Sequence, residues 1–473
     1  MARELTARNP RMGEHDVRFE ALDAPEVTAA ADKLRAAQPA WAGRSLAERG
    51  DALIRLADAL AAARADIAAA LEADTGRRRI AGMEVDGAAA SIRAWVGQAP
   101  ALLPEGWTEG RSNPALRHAP QFVPYGLVGV ISPWNFPLTL SMIDTIPALL
   151  AGCAVLIKPS EVTPRFVEPV ERAIAAAGLS DVLGFAQGDG ATGAALIETV
   201  DAVCFTGSVP TGRRVAAAAA ARMIPAFLEL GGKDPLIVLA GADLECATDA
   251  ALRGSALSTG QACQSIERIY VQRPLHEPFL ARLVQKAEAA RLNWPDITQG
   301  EIGPIIYDRQ AETLAAHIDD AVAKGARLLT GGEIERHGGG LWLRPTVLAD
   351  VTHDMAVMRE ETFGPILPVM AFDTPEDAVA LANDTEFGLS AAVFAETLDE
   401  AQAVGERIEA GAVSLNDAAL TALFHEAEKH AFKCSGLGGS RMGPAGFQRF
   451  LRRKALIANT GAPAPLGAFA EDA

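Results

Sequence analysis

An α/β chain with two doubly wound parallel sheets is the fold class this sequence predicts, and three observations predict it. From Gly126 onward, apolar runs of strand length alternate with helix-like stretches. Those runs are apolar on consecutive residues, as strands buried on both faces are. The alternation then starts afresh near Lys233. A chain of 473 residues, 49% hydrophobic and 22% charged, is also too long for one small core and points to two or three domains.

The first hundred residues read mainly as helical scaffold. Ser45-Leu46-Ala47-Glu48 has capping-box spacing, in which the serine satisfies an early amide and the glutamate reaches back. Leu46, Leu53, Leu56, Leu60, Ile67 and Leu71 then mark one helical face, and Gly76 supplies a stop. Leu127–Ile131 and residues 153–157, 182–186 and 203–205 form the first set of strands. Between them Thr163-Pro164 opens a helix that Gly178 closes, since proline fits a first turn and glycine a left-handed exit. In the second set, residues 236–239 and 269–271 flank a helix over 242–257. Residues 366–369, Ala391–Phe394 and residues 412–415 follow as strands. Gly331-Gly332 and residues 337–340 read as surface turns.

The formal charge of −17 and a pI near 5.0 argue against general affinity for nucleic acid or anionic membrane. Residues 1–20 carry charges of both signs and no apolar core of signal-peptide length. No stretch reaches the apolar length of a transmembrane helix. Cys153, Cys204, Cys246, Cys263 and Cys434 are scattered, with neither disulfide-framework nor metal spacing, which fits a reducing, cytoplasmic setting. The eight histidines offer no zinc-ligand pair with a third ligand, so no metal is expected.

The chemistry begins at Cys263, in Gly260-Gln261-Ala262-Cys263 between a helix and a strand. A cysteine is more often a small buried hydrophobe than a nucleophile, and reactivity needs a thiolate favoured by positive charge or exposed amides. Glu229 precedes Leu230-Gly231-Gly232-Lys233, where glycine lets the backbone turn and approach a ligand closely. In a closed pocket such a carboxylate can accept a proton from water. Asn135 stands between Pro133 and Pro137, which stiffen the loop. It is either a turn asparagine or a fixed N–H donor for a developing oxyanion. Trp134 beside it is a core aromatic or a wall of the cofactor cleft.

Lys158-Pro159-Ser160-Glu161 follows a strand directly, where a lysine and a glutamate can hold the hydroxyls of an adenosine ribose. Phe205-Thr206-Gly207-Ser208 opens a helix whose first amides can face a pyrophosphate. Gly188-Asp189-Gly190 lacks the remainder of a dinucleotide fingerprint. In Glu360-Glu361-Thr362-Phe363-Gly364-Pro365, one acid could grip a nicotinamide ribose while Phe363 packs on the ring. The same run could be an acidic turn before a strand.

Taken together, in this order and across nearly the whole chain, these segments resemble the NAD(P)-dependent aldehyde dehydrogenase superfamily. The resemblance implies an NAD-binding domain over 1–106 and 125–232 and a catalytic domain over 233–445. A small bridging β oligomerisation element would span 107–124 and 446–462, with a flexible tail over 463–473. Leu451–Asn459 is similar to the family's closing strand, which implies a homodimer or homotetramer. By resemblance, Cys263 attacks the aldehyde to give a thiohemiacetal, held by the Asn135 amide and the Cys263 backbone N–H. Hydride transfer leaves a thioester, and Glu229 activates water to release the acid. Ile131, Trp134, Lys158, Ser160, Glu161, Gly207, Ser208, Leu230, Glu361 and Phe363 match cofactor-binding positions. Glu161 would repel a 2′-phosphate, which favours NAD over NADP.

Two departures stand out. Glu428-Lys429-His430-Ala431 occupies the place of a Pro-Phe-Gly-Gly turn found in many relatives. Arg441-Met442-Gly443 lacks the glutamate of Arg-Glu-Leu-Gly. Leu140 and Ile143 resemble tunnel-lining positions and are apolar, which tilts the expectation to uncharged aliphatic or aromatic aldehydes. His425, Lys429 or Lys433 could still supply a cation for a semialdehyde. A CoA-acylating relative is disfavoured by Glu229, and a catalytically silent one by the intact Cys263, Glu229 and Asn135.

Overall fold

The structure, a computed structural model, describes residues 3–471. Two sheets organise it. The first has six strands in the order Gly436–Leu437, Ala226–Glu229, Ala202–Thr206, Leu127–Ile131, Ala154–Lys158, Leu183–Phe185. All neighbours are parallel except the Gly436–Leu437 edge, which runs antiparallel to Ala226–Glu229. The chain order reverses at Leu127–Ile131, whose neighbours follow it in sequence on both sides. Ligands of such sheets bind beyond the carboxyl ends of the strands at that reversal.

The second sheet has seven strands, Arg327–Thr330, Thr346–Ala349, Ile366–Phe372, Ile266–Gln272, Asp234–Val238, Ala391–Phe394 and Val413–Leu415 in order. Only Arg327–Thr330 pairs antiparallel. Fully buried runs such as Leu127–Ile131, Ala154–Lys158 and Asp234–Val238 explain why no polar alternation marks them. The doubly wound α/β class therefore stands, with the ends of the expected strands within three residues of the observed ones.

Differences from expectation have local causes. The helical face from Leu46 to Leu71 is carried by two helices, Leu46–Ala62 and Arg64–Thr75, because Ala63 leaves helical geometry. Leu53, Leu56, Leu60, Ile67 and Leu71 are nevertheless all completely buried, and Gly76 takes the left-handed exit at φ 65°. The Ser45–Glu48 capping box forms. A hairpin, Arg3–Arg8 with His15–Ala21, precedes the helices, although that region was expected to be mainly helical. The helix expected from Thr163 starts only at Val167, since the Arg165 N–H is drawn to the buried carboxylate of Asp74 at 2.8 Å.

A third, antiparallel sheet sets Leu451–Asn459 beside Leu116–Pro124 and Thr108–Glu109. Its outer strand is an edge, with Ile457 72% exposed. Among the described residues, no helix is long and apolar enough to cross a membrane.

Candidate active site

Beyond the carboxyl ends of the six-stranded sheet, and facing the second sheet, lies a cleft of about 810 Å³. Its lining brings together Ile131, Trp134, Asn135, Lys158, Ser160, Glu161, Gly207, Ser208, Leu230, Cys263, Glu361 and Phe363, residues separated by up to 232 positions in sequence. Glu229 sits just beneath, at the end of its strand and 8% exposed. Leu140 and Ile143 are half-buried on the Pro137–Ala151 helix and are not among the lining residues.

At one end of the cleft, Lys158 Nζ donates to Glu161 Oε2 at 2.8 Å, with the lysine buried and the glutamate open to solvent. Ser160 turns inward to accept from the Val162 N–H. Ser208 opens the Val209–Ala221 helix, its hydroxyl donating to Thr211 rather than capping an amide, so the first turn's N–H groups remain available. At the other end, Phe363 and Trp134 meet edge to face at 5.3 Å, and Tyr307 lies 6.1 Å from Trp134. Glu361 accepts from the Gly232 N–H at 3.2 Å, and burial, with Glu267 nearby, pushes its carboxyl up to about 8. A long cleft with a carboxylate–lysine pair at one end, helix-start amides midway and an aromatic cluster at the other fits a dinucleotide.

The reactive side is tightly built. The Asn135 amide nitrogen donates to the carbonyl oxygen of Gln261 at 3.0 Å, two residues before Cys263. The Gln261 side chain is itself fixed, donating to Ser258 and Pro304 carbonyls and accepting from Ile306 N. One Asn135 N–H is thus held and the other is free for a ligand. Gly232 passes so close to the Cys263 carbonyl that a Cβ there would lie 2.4 Å from its oxygen, which accounts for the glycines after Glu229. Gly260, at φ 67°, likewise abuts the Gly364 backbone. Burial, and secondarily Glu229, push the Cys263 thiol up to about 12, while Lys429 pulls the other way.

Several residues that shape this site carried no recognised signal in sequence. Arg77 is fully buried, donates to the Asn135 carbonyl and lies 5.0 Å over the Phe136 ring. Glu84 accepts from the N–H groups of Leu138 and Thr139, at the start of the next helix. The Asn135 loop is therefore gripped from the N-terminal helices. Lys233 donates to Glu267 at 2.9 Å and to Thr362 at 2.8 Å, and Glu267 accepts the N–H groups of Thr362 and Phe363, pinning the segment that carries Glu361. A glutamate and an arginine inside the otherwise apolar run Ile266–Gln272 were the signal that could have found this network. Lys429 Nζ lies 3.7 Å from Glu229 Oε2.

A family model described as the aldehyde dehydrogenase family matches residues 2–456. A solved structure of a candidate aldehyde dehydrogenase, PutA, from Anabaena variabilis is 52% identical, with a TM-score of 0.96, and covers 98% of this chain and 99% of that one. Betaine aldehyde dehydrogenase of Cereibacter sphaeroides is 38% identical over 458 residues, 96% of this chain and 93% of that one. A candidate NADP(+)-linked succinate-semialdehyde dehydrogenase of Mycolicibacterium smegmatis is 38% identical over 419 residues, 88% of this chain and 81% of that one. The chain therefore belongs to the aldehyde dehydrogenase family, NAD(P)-dependent oxidoreductases that act on an aldehyde group.

Proposed function

We propose that this enzyme oxidises an uncharged aldehyde to its acid by covalent catalysis at Cys263, with Asn135 as oxyanion donor and Glu229 as base. The observation that carries the reading is the Asn135 amide, clamped on the Gln261 carbonyl beside Cys263 with one N–H left over. The Cys263 sulfur, once ionised, adds to the aldehyde carbon, and its electrons move onto the oxygen. That oxyanion is received by the free Asn135 N–H and the Cys263 backbone N–H, donors that need no reorganisation. A bound nicotinamide supplies the hydride acceptor that converts the adduct to a thioester. Glu229 then takes a proton from water, the resulting hydroxide attacks the acyl carbon, and the Cys263 sulfur leaves as thiolate.

The cofactor would be held by Lys158 and Glu161 at its adenosine ribose, by the amides after Gly207 and Ser208 at its phosphates, and by Glu361 and Phe363 at the nicotinamide end. Ile131, Trp134, Ser160 and Leu230 would form the walls. The Glu161 carboxylate beside Lys158 would repel a 2′-phosphate, which favours NAD. The cations on the substrate side, Arg441 and Lys429 buried and Lys433 more exposed, also face groups of the protein. Arg441 donates to Asp144 and Thr206, Lys433 to Glu409 and two carbonyls, and Lys429 faces Glu229. Of these only Lys429 has hydrogen bonds to give, and a distal substrate carboxylate would meet it against Glu229, so neutral aldehydes fit better than semialdehydes.

The domain division follows as a further part of the reading: cofactor binding by 1–106 and 125–232, catalysis by 233–445, assembly by 107–124 and 446–462, and a tail at 463–473, of which Asp472 and Ala473 lie outside the described residues. The open edge of Leu451–Asn459 supports a homodimer or homotetramer. The five unpaired cysteines support a cytoplasmic setting.

Glu229→Gln should keep a single-turnover burst of NADH and lose steady turnover by at least a hundredfold, because only deacylation uses the base. Cys263→Ala should give neither. Rapid-mixing absorbance with a neutral aldehyde reads both; a missing burst in Glu229→Gln with cofactor binding intact would overturn the assignment of Glu229.

A further inference from the structure

Lys429 has a buried side chain, 3% exposed, whose ammonium lacks any hydrogen-bond partner. Its loop is built to send it inward. The Lys429 N–H donates to Ser440 Oγ, the His425 carbonyl accepts from Gly443 N, and a Cβ at Gly411 would collide with the His430 carbonyl. A few residues on, the strand Gly436–Leu437 pairs with Ala226–Glu229, so Gly436 stands opposite Glu229 and ties this segment to the base. An ammonium taken out of water without hydrogen bonds is costly and is retained in proteins where a nearby charge compensates it. Here the compensating charge is Glu229, 3.7 Å away.

We propose that Lys429 is a positioning residue whose buried positive charge holds the Glu229 side chain in place and favours ionisation of the Cys263 sulfur. The proposal rests on the roles given above to Cys263 and Glu229. The charges around the two groups argue for it. Cys263 lies among the carboxyl groups of Glu229, Glu361 and Asp234, the last two raised by burial to about 8 and about 7, and opposite them stand Lys429 and the more firmly engaged Arg441. Lys429 in turn faces Glu229, Asp234 and Cys263, with His425 on its own loop. Lys429 is therefore the less committed of the two cations at the point where a thiolate must form. A role as anchor for a substrate carboxylate is disfavoured, because that anion would have to settle against Glu229.

The sign follows from electrostatics. Removing a positive charge near an acid raises its pKa, so without Lys429 the Cys263 thiol should ionise at higher pH. The probe is the pH dependence of Cys263 alkylation by iodoacetamide, a neutral reagent, with mass spectrometry locating the modified residue. Lys429→Met should move the midpoint up. Lys429→Arg should return most of it, and Glu229→Gln should move it down. Lys429→Gln serves the same purpose if the methionine variant does not purify folded. A Lys429→Met profile that superimposes on wild type, with Cys263 the alkylated residue, overturns the proposal. So does an unmoved profile with a KM for succinate semialdehyde raised more than tenfold over that for propanal, which would make Lys429 a substrate anchor. Failure to alkylate Cys263 in the wild type would overturn the nucleophile assignment itself, and is told apart by the mapped site.

Discussion

Beside Lys158, which lines the cleft, two further lysines are buried near it, and they are treated in opposite ways. The side chain of Lys233 is completely buried and hydrogen-bonded to Glu267 and Thr362, while Glu267 also takes two backbone N–H groups. Lys429 is almost as deeply buried, at 3% exposure, yet has an ion pair at 3.7 Å and no hydrogen bond. A compensated charge of the first kind specifies where backbone goes; it pins Thr362 and Phe363 and thereby Glu361. A charge left short of partners beside a catalytic carboxylate contributes a field rather than a geometry.

The comparison is broken most directly at Lys233. Lys233→Met leaves Glu267 buried without its counter-charge and should cost about 3–5 kcal/mol of stability. Urea unfolding of the two proteins reads it, with the midpoint expected to fall sharply. Lys429→Met, in contrast, should shift that midpoint by less than about 1 kcal/mol, because the charge removed had no hydrogen bonds to lose. If both variants lost stability equally, Lys429 would be a structural ion like Lys233.

The same contrast explains what the sequence could reveal. The cofactor side was legible because its residues stand at strand ends beside glycines and prolines: Lys158 closes Ala154–Lys158, Ser208 precedes Val209–Ala221, and Gly231-Gly232 follows Glu229. Turn chemistry leaves such local marks. The supports did not announce themselves, since they act across the chain. Arg77 reaches Asn135 over 58 positions, and Glu267 reaches Thr362 over 95. The altered segment at Glu428-Lys429-His430-Ala431 could be seen as a departure, but only burial and the missing hydrogen bonds of Lys429 gave it a meaning. The helix break at Ala63 left no mark because both halves bury the same apolar face.

Glu84 lies between the two lysine cases and offers the gentlest test. One oxygen accepts Leu138 N at 3.1 Å and Thr139 N at 3.0 Å, while the other has no partner. Burial pushes this carboxyl up to about 7, against the pull of those bonds and of Arg77. The folded chain therefore keeps a proton that the unfolded chain releases near the ordinary value of 4.5. Between those two values the unfolded state binds fewer protons, so this group's contribution to stability falls as pH rises and its penalty is complete above about 7. Glu84→Gln keeps the shape and one acceptor and removes the titration. The melting temperature of wild type relative to this variant should accordingly decline between pH 5 and pH 8, by an amount worth at most about 3 kcal/mol. All other titrating groups are common to both proteins and cancel in the difference. A gap that stays constant across that range would place Glu84 with the fully compensated pair at Lys233, and the grip on the Asn135 loop would then rest on a settled carboxylate rather than on a group poised near neutrality.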